Sequence, residues 1–444
     1  MLRIHIRQRM QRHLSQKFSP SLLQLHISPG SRPLSAPNRN VYTLGKRRKS
    51  VIHCQRLGQN PQKNLNSRNF WAISSVPAIL VPPVIFLGLL ITLWTWKCFW
   101  IIVMQNKLLY LSWLPPFSRS DTISEYEREC KPVEWKEKEI RSLDGTKLVI
   151  CEGHIPIQSE KNELKLKQPK KLVAICYFQG NGGSTPLRLP LLSQVLRSID
   201  TKCLNSRESD KQDDTRFIIL ALSYRGYWKS SGTATQTGIE KDAQAFLTWV
   251  SNTYLETNTD CQIILWGHSL GAAVASSALS TYLAHSNPIP VSGLIMEAPI
   301  SNIKDMLIGL YPQKWLPYRY LWPFSWNNWC TSSSLERLAA YRDHFTEQSQ
   351  QNAYNPPLNH PPQSIPPILV LSAEADEVIP AHVAGQLECK GRDLGLDIQR
   401  TVVPGAMHTE GPVKSIGRDA LVKFIQEPSA KKQSTAEHGR NTCL

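Results

Sequence analysis

The sequence predicts an α/β fold, a mostly parallel sheet with helices on both faces and a lid insertion, preceded by one transmembrane helix. Three observations carry this. Short apolar runs alternate with stretches of helical character after an initial hairpin. Residues 70–96 form a run of 27 without a charge. The net charge of +16 is confined to the chain before the soluble part begins.

Residues 1–120 hold 17 Lys and Arg and no acid, whereas the remaining 34 basic residues face all 35 acidic ones from Asp121 onward. The basicity therefore belongs to the N-terminus, and no nucleic-acid groove is expected. Residues 1–69 are read as a basic tail or targeting segment. Leu2, Ile6, Met10 and Leu14 recur every four residues with arginines between them, as in a mitochondrial transit peptide. A basic tail that orients a membrane anchor fits the same composition.

Residues 70–104 are assigned to the anchor, since a bilayer core needs about 20 apolar residues. Pro77, Pro82 and Pro83 place the start of regular helix near Val84. Trp94, Trp96, Trp100 and Trp113 collect at the far end, where amphipathic rings favour the interface. Fourteen Lys and Arg precede the run and three follow it up to residue 120, which orients a single-pass protein with its N-terminus in the cytosol or matrix. Endomembrane and mitochondrial inner membrane both remain open. The lack of an Asn-x-Ser/Thr acceptor beyond residue 104 leans away from the secretory lumen.

Residues 121–427 are expected to form one domain. Asp144-Gly145 lies between extended stretches and marks a hairpin. Continuously apolar strands covered on both faces are expected at 171–178, 216–223, 262–266, 291–296 and 368–372, with a last strand at 396–403. Helices are expected at 187–198, 237–254, 271–285 and 418–426. Polar or charged insertions fall at 161–170 and 204–215. Residues 302–366 carry Trp315, Trp322, Trp326 and Trp329, and a loop this long is read as a lid. The tail 428–444 is expected to be disordered. The ten cysteines show no CxxC pair and no zinc spacing, so buried thiols are expected, with no metal or cofactor implied.

The chemistry centres on IILWGHSLGAAVAS, residues 263–276. Acyl transfer needs an exposed hydroxyl, a histidine to take its proton, an acid to orient that histidine, and donors for the oxyanion. Gly-x-Ser-x-Gly between a strand and a helix supplies the hydroxyl, Ser269, on a strained turn that demands small residues two before and two after. Gly267 and Gly271 meet that demand. The stretch SAEADEVIP offers Glu374, Asp376 and Glu377 after a late strand, of which Asp376 is the candidate acid. Glu297, after the strand following the nucleophile, competes. PGAMH places His408 after the last strand. His268 beside the serine reads as structural, and Asp343-His344 lies in the lid. The N–H of Leu270 and one from the glycine-rich loop FQGNGG are the expected oxyanion donors. Nucleotide binding finds no supporting motif.

Together FQGNGGS, LSYRGYWKSSG, GHSLGAAVA, LIMEAP, SAEADEVIP and PGAMH resemble the α/β-hydrolase superfamily over residues 133–426. The pattern looks most like its membrane-anchored serine hydrolases of the Bem and ABHD types. The resemblance implies the α/β-hydrolase fold, a triad of Ser269, Asp376 and His408, and oxyanion donors Asn181 and Leu270. It implies a structural role for the turn at Tyr224, Arg225 and Gly226. Gln179 departs from it, because relatives usually carry histidine before the glycine. It implies a lipid or acylated substrate, lysophospholipid, monoacylglycerol or S-acylated protein, reached at a bilayer. A catalytically weak membrane-tethered scaffold and a serine peptidase are the alternatives.

Overall fold

The computed structural model describes residues 77–156, 171–207, 215–255, 260–285, 289–351 and 364–438. The tail 1–69, the insertion at 161–170 and residues 352–363 of the expected lid lie outside these.

The first long helix, α1, is Val81–Val103, entered through a 3-10 turn at Ala78–Leu80. It begins three residues earlier than Val84. Pro82 and Pro83 occupy its first turn, where the missing N–H would find no intrahelical partner anyway. An 18-residue window within Ala78–Val103 has a mean hydropathy of 2.2, and no residue of the span is buried. At 1.5 Å per residue, α1 is about 34 Å long, enough to cross a hydrocarbon core of about 30 Å. Helix α2 (Gln105–Leu109) follows at once, and α3 (Glu127–Cys130) precedes the sheet.

Eight strands form one sheet in the order β1-β2-β4-β3-β5-β6-β7-β8. They are β1 (Glu134–Arg141), β2 (Lys147–His154), β3 (Lys171–Phe178), β4 (Thr215–Ser223), β5 (Asp260–His268), β6 (Val291–Glu297), β7 (Ile368–Ala373) and β8 (Ile398–Val403). β1 and β2 pair antiparallel around the Asp144-Gly145 turn, β2 joins β4 antiparallel, and the pairings from β4 through β8 are parallel. The central strands are apolar throughout because both faces are covered. In β3, Leu172, Ala174, Cys176 and Phe178 enter one core, and Val173, Ile175 and Tyr177 enter the other.

Helices α4 (Thr185–Arg207) and α10 (Ser415–His438) cover one face, through residues such as Leu192, Leu196, Leu421 and Phe424. Helices α5 (Gln236–Leu255), α6 (Leu270–Ala284), α8 (Thr331–Gln351) and α9 (His382–Asp393) cover the other, with Phe246, Leu279, Leu338 and Leu387 in the core. The helix of α4 runs four residues into the charged stretch at 204–215, as far as Arg207. Helical backbone continues past Gln426 to His438. Cys130, Cys151, Cys176 and Cys261 are buried thiols.

The stretch read as a lid at 302–366 divides in two. Residues 302–330 form a cap of helix α7 (Ile303–Leu310) and two 3-10 turns, pinched at its base by a bridge between Asn302 and Cys330. Thr331 closes the base, its N–H donating to Ser301 O at 2.8 Å and its hydroxyl to Ile300 O at 2.6 Å. Helix α8 then returns to the core with Leu335, Leu338 and Ala339 buried. A parallel β6-to-β7 crossover requires a covering element, and α8 supplies it.

Candidate active site

In a parallel sheet, loops leaving the carboxyl ends of the strands gather at one edge. Here that edge receives Gln179–Ser184 after β3, Ser269 after β5, Glu297 at the end of β6, Asp376 after β7 and His408 after β8. The register pairs Phe178 with Gly267, so the glycine-rich loop and the serine turn emerge side by side.

Ser269 has φ 55° and ψ −116°, a backbone region that L-residues avoid. The strain is held by its surroundings. Its N–H donates to Glu297 O at 2.8 Å, and Ala272 N–H donates to Ser269 O at 3.0 Å. The two glycines are required sterically. A Cβ on Gly267 would sit 2.2 Å from Gly271 O, and one on Gly271 would sit 2.1 Å from Phe178 O. Leu270 opens α6, so its N–H is among the first helical amides that have no intrahelical acceptor.

Asp376 and His408 are in contact, with His408 Nδ1 at 2.9 and 3.0 Å from the two carboxylate oxygens. Asp376 Oδ1 also accepts the amides of Val378 at 2.8 Å and Ile379 at 2.7 Å. Burial opposes its charged form, but the imidazole and these amides prevail and hold its carboxyl below the usual range. The other two acids of SAEADEVIP take backbone roles. Glu374 accepts Gly405 N–H at 2.9 Å and Glu377 accepts His408 N–H at 3.0 Å, so both brace the histidine loop.

Ser269 and His408 share the edge without a hydrogen bond between them among the described contacts, and both are buried at 7% exposure. His268 links their loops. Its Nε2 lies 3.2 Å from His408 O, and its ring centroid lies 5.0 Å from that of His408. A Cβ on Gly180 would meet His268 Nδ1 at 2.6 Å, so the glycine admits this ring. Burial, with Arg188 and His408 nearby, holds His268 far below its ordinary value and therefore neutral. Asp343 is exposed on α8 and pairs with Arg342, away from this edge.

Glu297 supports the serine through its backbone; its side chain is turned toward Trp266, whose Nε1–H donates to Oε2 at 3.0 Å. Its Oε1 has no hydrogen-bond partner among the described residues, and burial pushes its carboxyl up to about 7 against the pull of Arg188. Arg188, on α4, was not singled out in the sequence, and a lone arginine in a helical stretch gives no signal of its place near Glu297.

The glycine-rich loop is held at its base. Tyr224 Oη donates to Gln179 O at 3.0 Å, and Thr185 Oγ1 to Gln179 Oε1 at 2.9 Å. Gln179 thus makes loop-supporting contacts through both its backbone and its side chain. Asn181 is exposed in this loop, and its Oδ1 accepts Leu111 N–H at 2.8 Å. Arg225 reaches Asp242, Asp144 and Ser142, tying the β1–β2 turn to α5, a structural role. Among the described residues no cluster of His, Cys, Asp and Glu is arranged to hold a metal ion.

Residues 204–415 match the model of the alpha/beta hydrolase family. The matched segment, a little under half of the chain, is an alpha/beta-hydrolase domain. It is similar to protein bem46 of Schizosaccharomyces pombe, 26% identical over 210 residues, covering 47% of this chain and 58% of that one. It is similar to the alpha/beta hydrolase domain-containing protein WAV2 of Arabidopsis thaliana, 30% identical over 217 residues, covering 48% and 58%. The lysophosphatidylserine lipase ABHD12 of Rattus norvegicus is 27% identical over 171 residues, covering 38% and 37%. The matches thus span less than two thirds of each of these relatives, and together they mark an α/β-hydrolase of the Bem46/ABHD type. Among solved structures, an alpha-beta hydrolase from Vibrio vulnificus shares the fold with a TM-score of 0.50 and 14% identity, over 72% of this chain and 92% of that one.

Proposed function

We propose that the protein is a membrane-anchored serine hydrolase that cleaves acyl esters or thioesters through Ser269, His408 and Asp376. The observation that carries this reading is the strained Ser269 turn on the same sheet edge as the His408–Asp376 pair. A strained serine with two sterically obligatory glycines has no evident structural use.

In the mechanism, His408 Nε2 takes the Ser269 proton as Oγ forms a bond to the acyl carbon. The developing oxyanion accepts from the backbone N–H of Leu270 and Asn181. The C–O or C–S bond then breaks, His408 protonates the leaving alcohol or thiol, and water repeats the sequence on the acyl-enzyme. Asp376 fixes the imidazole with Nδ1 protonated and stabilises its cation.

An acyl chain drawn from a bilayer suits the rest of the molecule. The helix α1 is long and apolar enough to span, and we assign it as a single-pass anchor. The cap exposes Trp315, Trp322, Phe324 and Trp326, amphipathic or apolar rings of the kind that settle at a membrane interface. The lysophosphatidylserine lipase among the relatives makes lysophospholipid the first substrate to try, with monoacylglycerol and S-acyl protein beside it. The test is labelling of the full chain by a fluorophosphonate, with turnover on those three classes. Ser269→Ala is expected to abolish labelling and lower kcat by about 10⁶-fold. Equal labelling of the alanine variant, or none of the folded wild type, overturns the reading.

A further inference from the structure

A loop with three glycines in six residues cannot hold its own shape, because each glycine widens the accessible backbone. Gly182 and Gly183 have φ of 78° and 81°. Tyr224 and Thr185 secure Gln179, at the base of the loop. The outer half, Asn181 to Ser184, is secured from elsewhere in the chain, by the segment that continues α1.

Leu111 N–H donates to Asn181 Oδ1 at 2.8 Å, and Gly183 N–H donates to Leu114 O at 2.6 Å. A Cβ on Gly182 would lie 3.5 Å from Leu114 O and 3.6 Å from Leu111 Cβ, so the segment lies directly against the loop. Ser184 Oγ donates to the Asp121 carboxylate a little further along.

The segment is itself pinned. Tyr110 is 2% exposed; its hydroxyl donates to Asn327 Oδ1 at 2.7 Å and accepts Trp329 Nε1–H at 2.8 Å. Asn106 Oδ1 accepts from Asn327 Nδ2 at 2.8 Å, and Gln105 Oε1 accepts Trp326 N–H at 2.7 Å. One short stretch therefore bonds to the cap with Gln105, Asn106 and Tyr110, and to the oxyanion loop with Leu111 and Leu114.

We propose that residues 105–115 are a positioning strap for the oxyanion loop, so that acyl transfer depends on the continuation of the anchor as well as on the sheet edge. The proposal rests on the acyl-transfer reading of Ser269. An oxyanion donor acts only when fixed before the charge develops, and misplacing one by tenths of an ångström costs rate while substrate binding is retained. The strap fixes Asn181 by its side chain and leaves the backbone N–H for the oxyanion.

The test uses the full chain in detergent micelles. Asn181→Ala removes the acceptor that the strap grips and keeps the backbone N–H. Leu111→Pro removes the donor from the other side. Each is expected to lower kcat about 10- to 100-fold with KM within about twofold, less than the roughly 100- to 1,000-fold that outright loss of one oxyanion donor costs, because the donor is misplaced and not removed. Affinity for an alkyl boronic acid, whose boron forms a tetrahedral adduct with the serine, is expected to fall in parallel. Unchanged kcat in Asn181→Ala with an active wild type overturns the strap and leaves the Ser269 reading standing, as does a rise in KM at constant kcat. Should Leu111→Pro not fold, Asn181→Ala decides, because its side chain is exposed. A wild type that neither labels nor turns over overturns both.

Discussion

The ends of β6 and β7 bring two carboxylates to one edge of the sheet, and their surroundings differ in depth of burial, in nearby charge and in the number of donors offered. Asp376 receives two backbone amides and an imidazole. Glu297 receives the single N–H of Trp266 on its side chain, and its second oxygen lies 3.8 Å from the Nε2 of a histidine that stays neutral. Burial raises both, yet Asp376 ends below the usual range and Glu297 at about 7. A carboxylate that is ionised and aimed at Nδ1 can orient a histidine; Glu297, with one donor on its side chain, serves the site through its backbone O, which accepts Ser269 N–H.

The sharpest way to break this contrast is Asp376→Asn. An amide set against His408 Nδ1 favours the wrong tautomer, so kcat is expected to fall by about 10⁴-fold with KM little altered. If Glu297 were able to substitute, the loss would stay below about tenfold. Steady-state kinetics on the ester that wild type turns over distinguishes the two.

Glu297→Gln gives the next largest effect, on stability. The folded value of about 7 lies above the ordinary 4.5, so between those values the folded state holds a proton that the unfolded state has lost. Stability therefore falls as pH rises through that window, and the whole penalty is present above about 7. Gln keeps an acceptor for Trp266 and cannot ionise. The variant is expected to match wild type near pH 4.5 and to be more stable by about 3 kcal/mol at pH 8, at 1.36 kcal/mol per unit. Denaturant midpoints at the two pH values measure this, and parallel curves would remove Glu297 as the titrating group.

The Ser269 turn was legible because its constraint is local. Two glycines flank a serine at fixed offsets, and the Cβ positions that they leave empty collide with backbone only ångströms away. Asp376 and His408 were legible from their places after the last two strands, and the structure joins them. What escaped the sequence was carried by distant pairs. Tyr110 meets Asn327 and Trp329 across 217 and 219 residues, and neither partner leaves a local pattern. Helix α9 went unforecast because Gly385 and Gly391 lower its apparent propensity, although Val383 and Leu387 bury one face. The expected lid ran too long for a related reason. Helix α8 has a largely polar sequence that buries Leu335, Leu338 and Ala339, and only the crossover between β6 and β7 shows that it belongs to the core.

The finest test of the contrast is Trp266→Phe, which removes the one N–H that Glu297's side chain receives while keeping an aromatic ring. Trp266 is fully buried and packs edge-on against Tyr177, so the smaller ring costs about 1–3 kcal/mol at every pH. That loss says nothing about donors. The midpoint of the pH-dependent change does, because Trp266 and the Arg188 charge both favour the ionised carboxylate. With Trp266 N–H gone and Arg188 in place, the midpoint is expected to move upward from about 7, read as the pH dependence of Tm between pH 5 and 9. A midpoint that stays still would assign the raised value to burial, opposed by the Arg188 charge and not by the Trp266 N–H, and the donor count would no longer explain why the acids of β6 and β7 diverge.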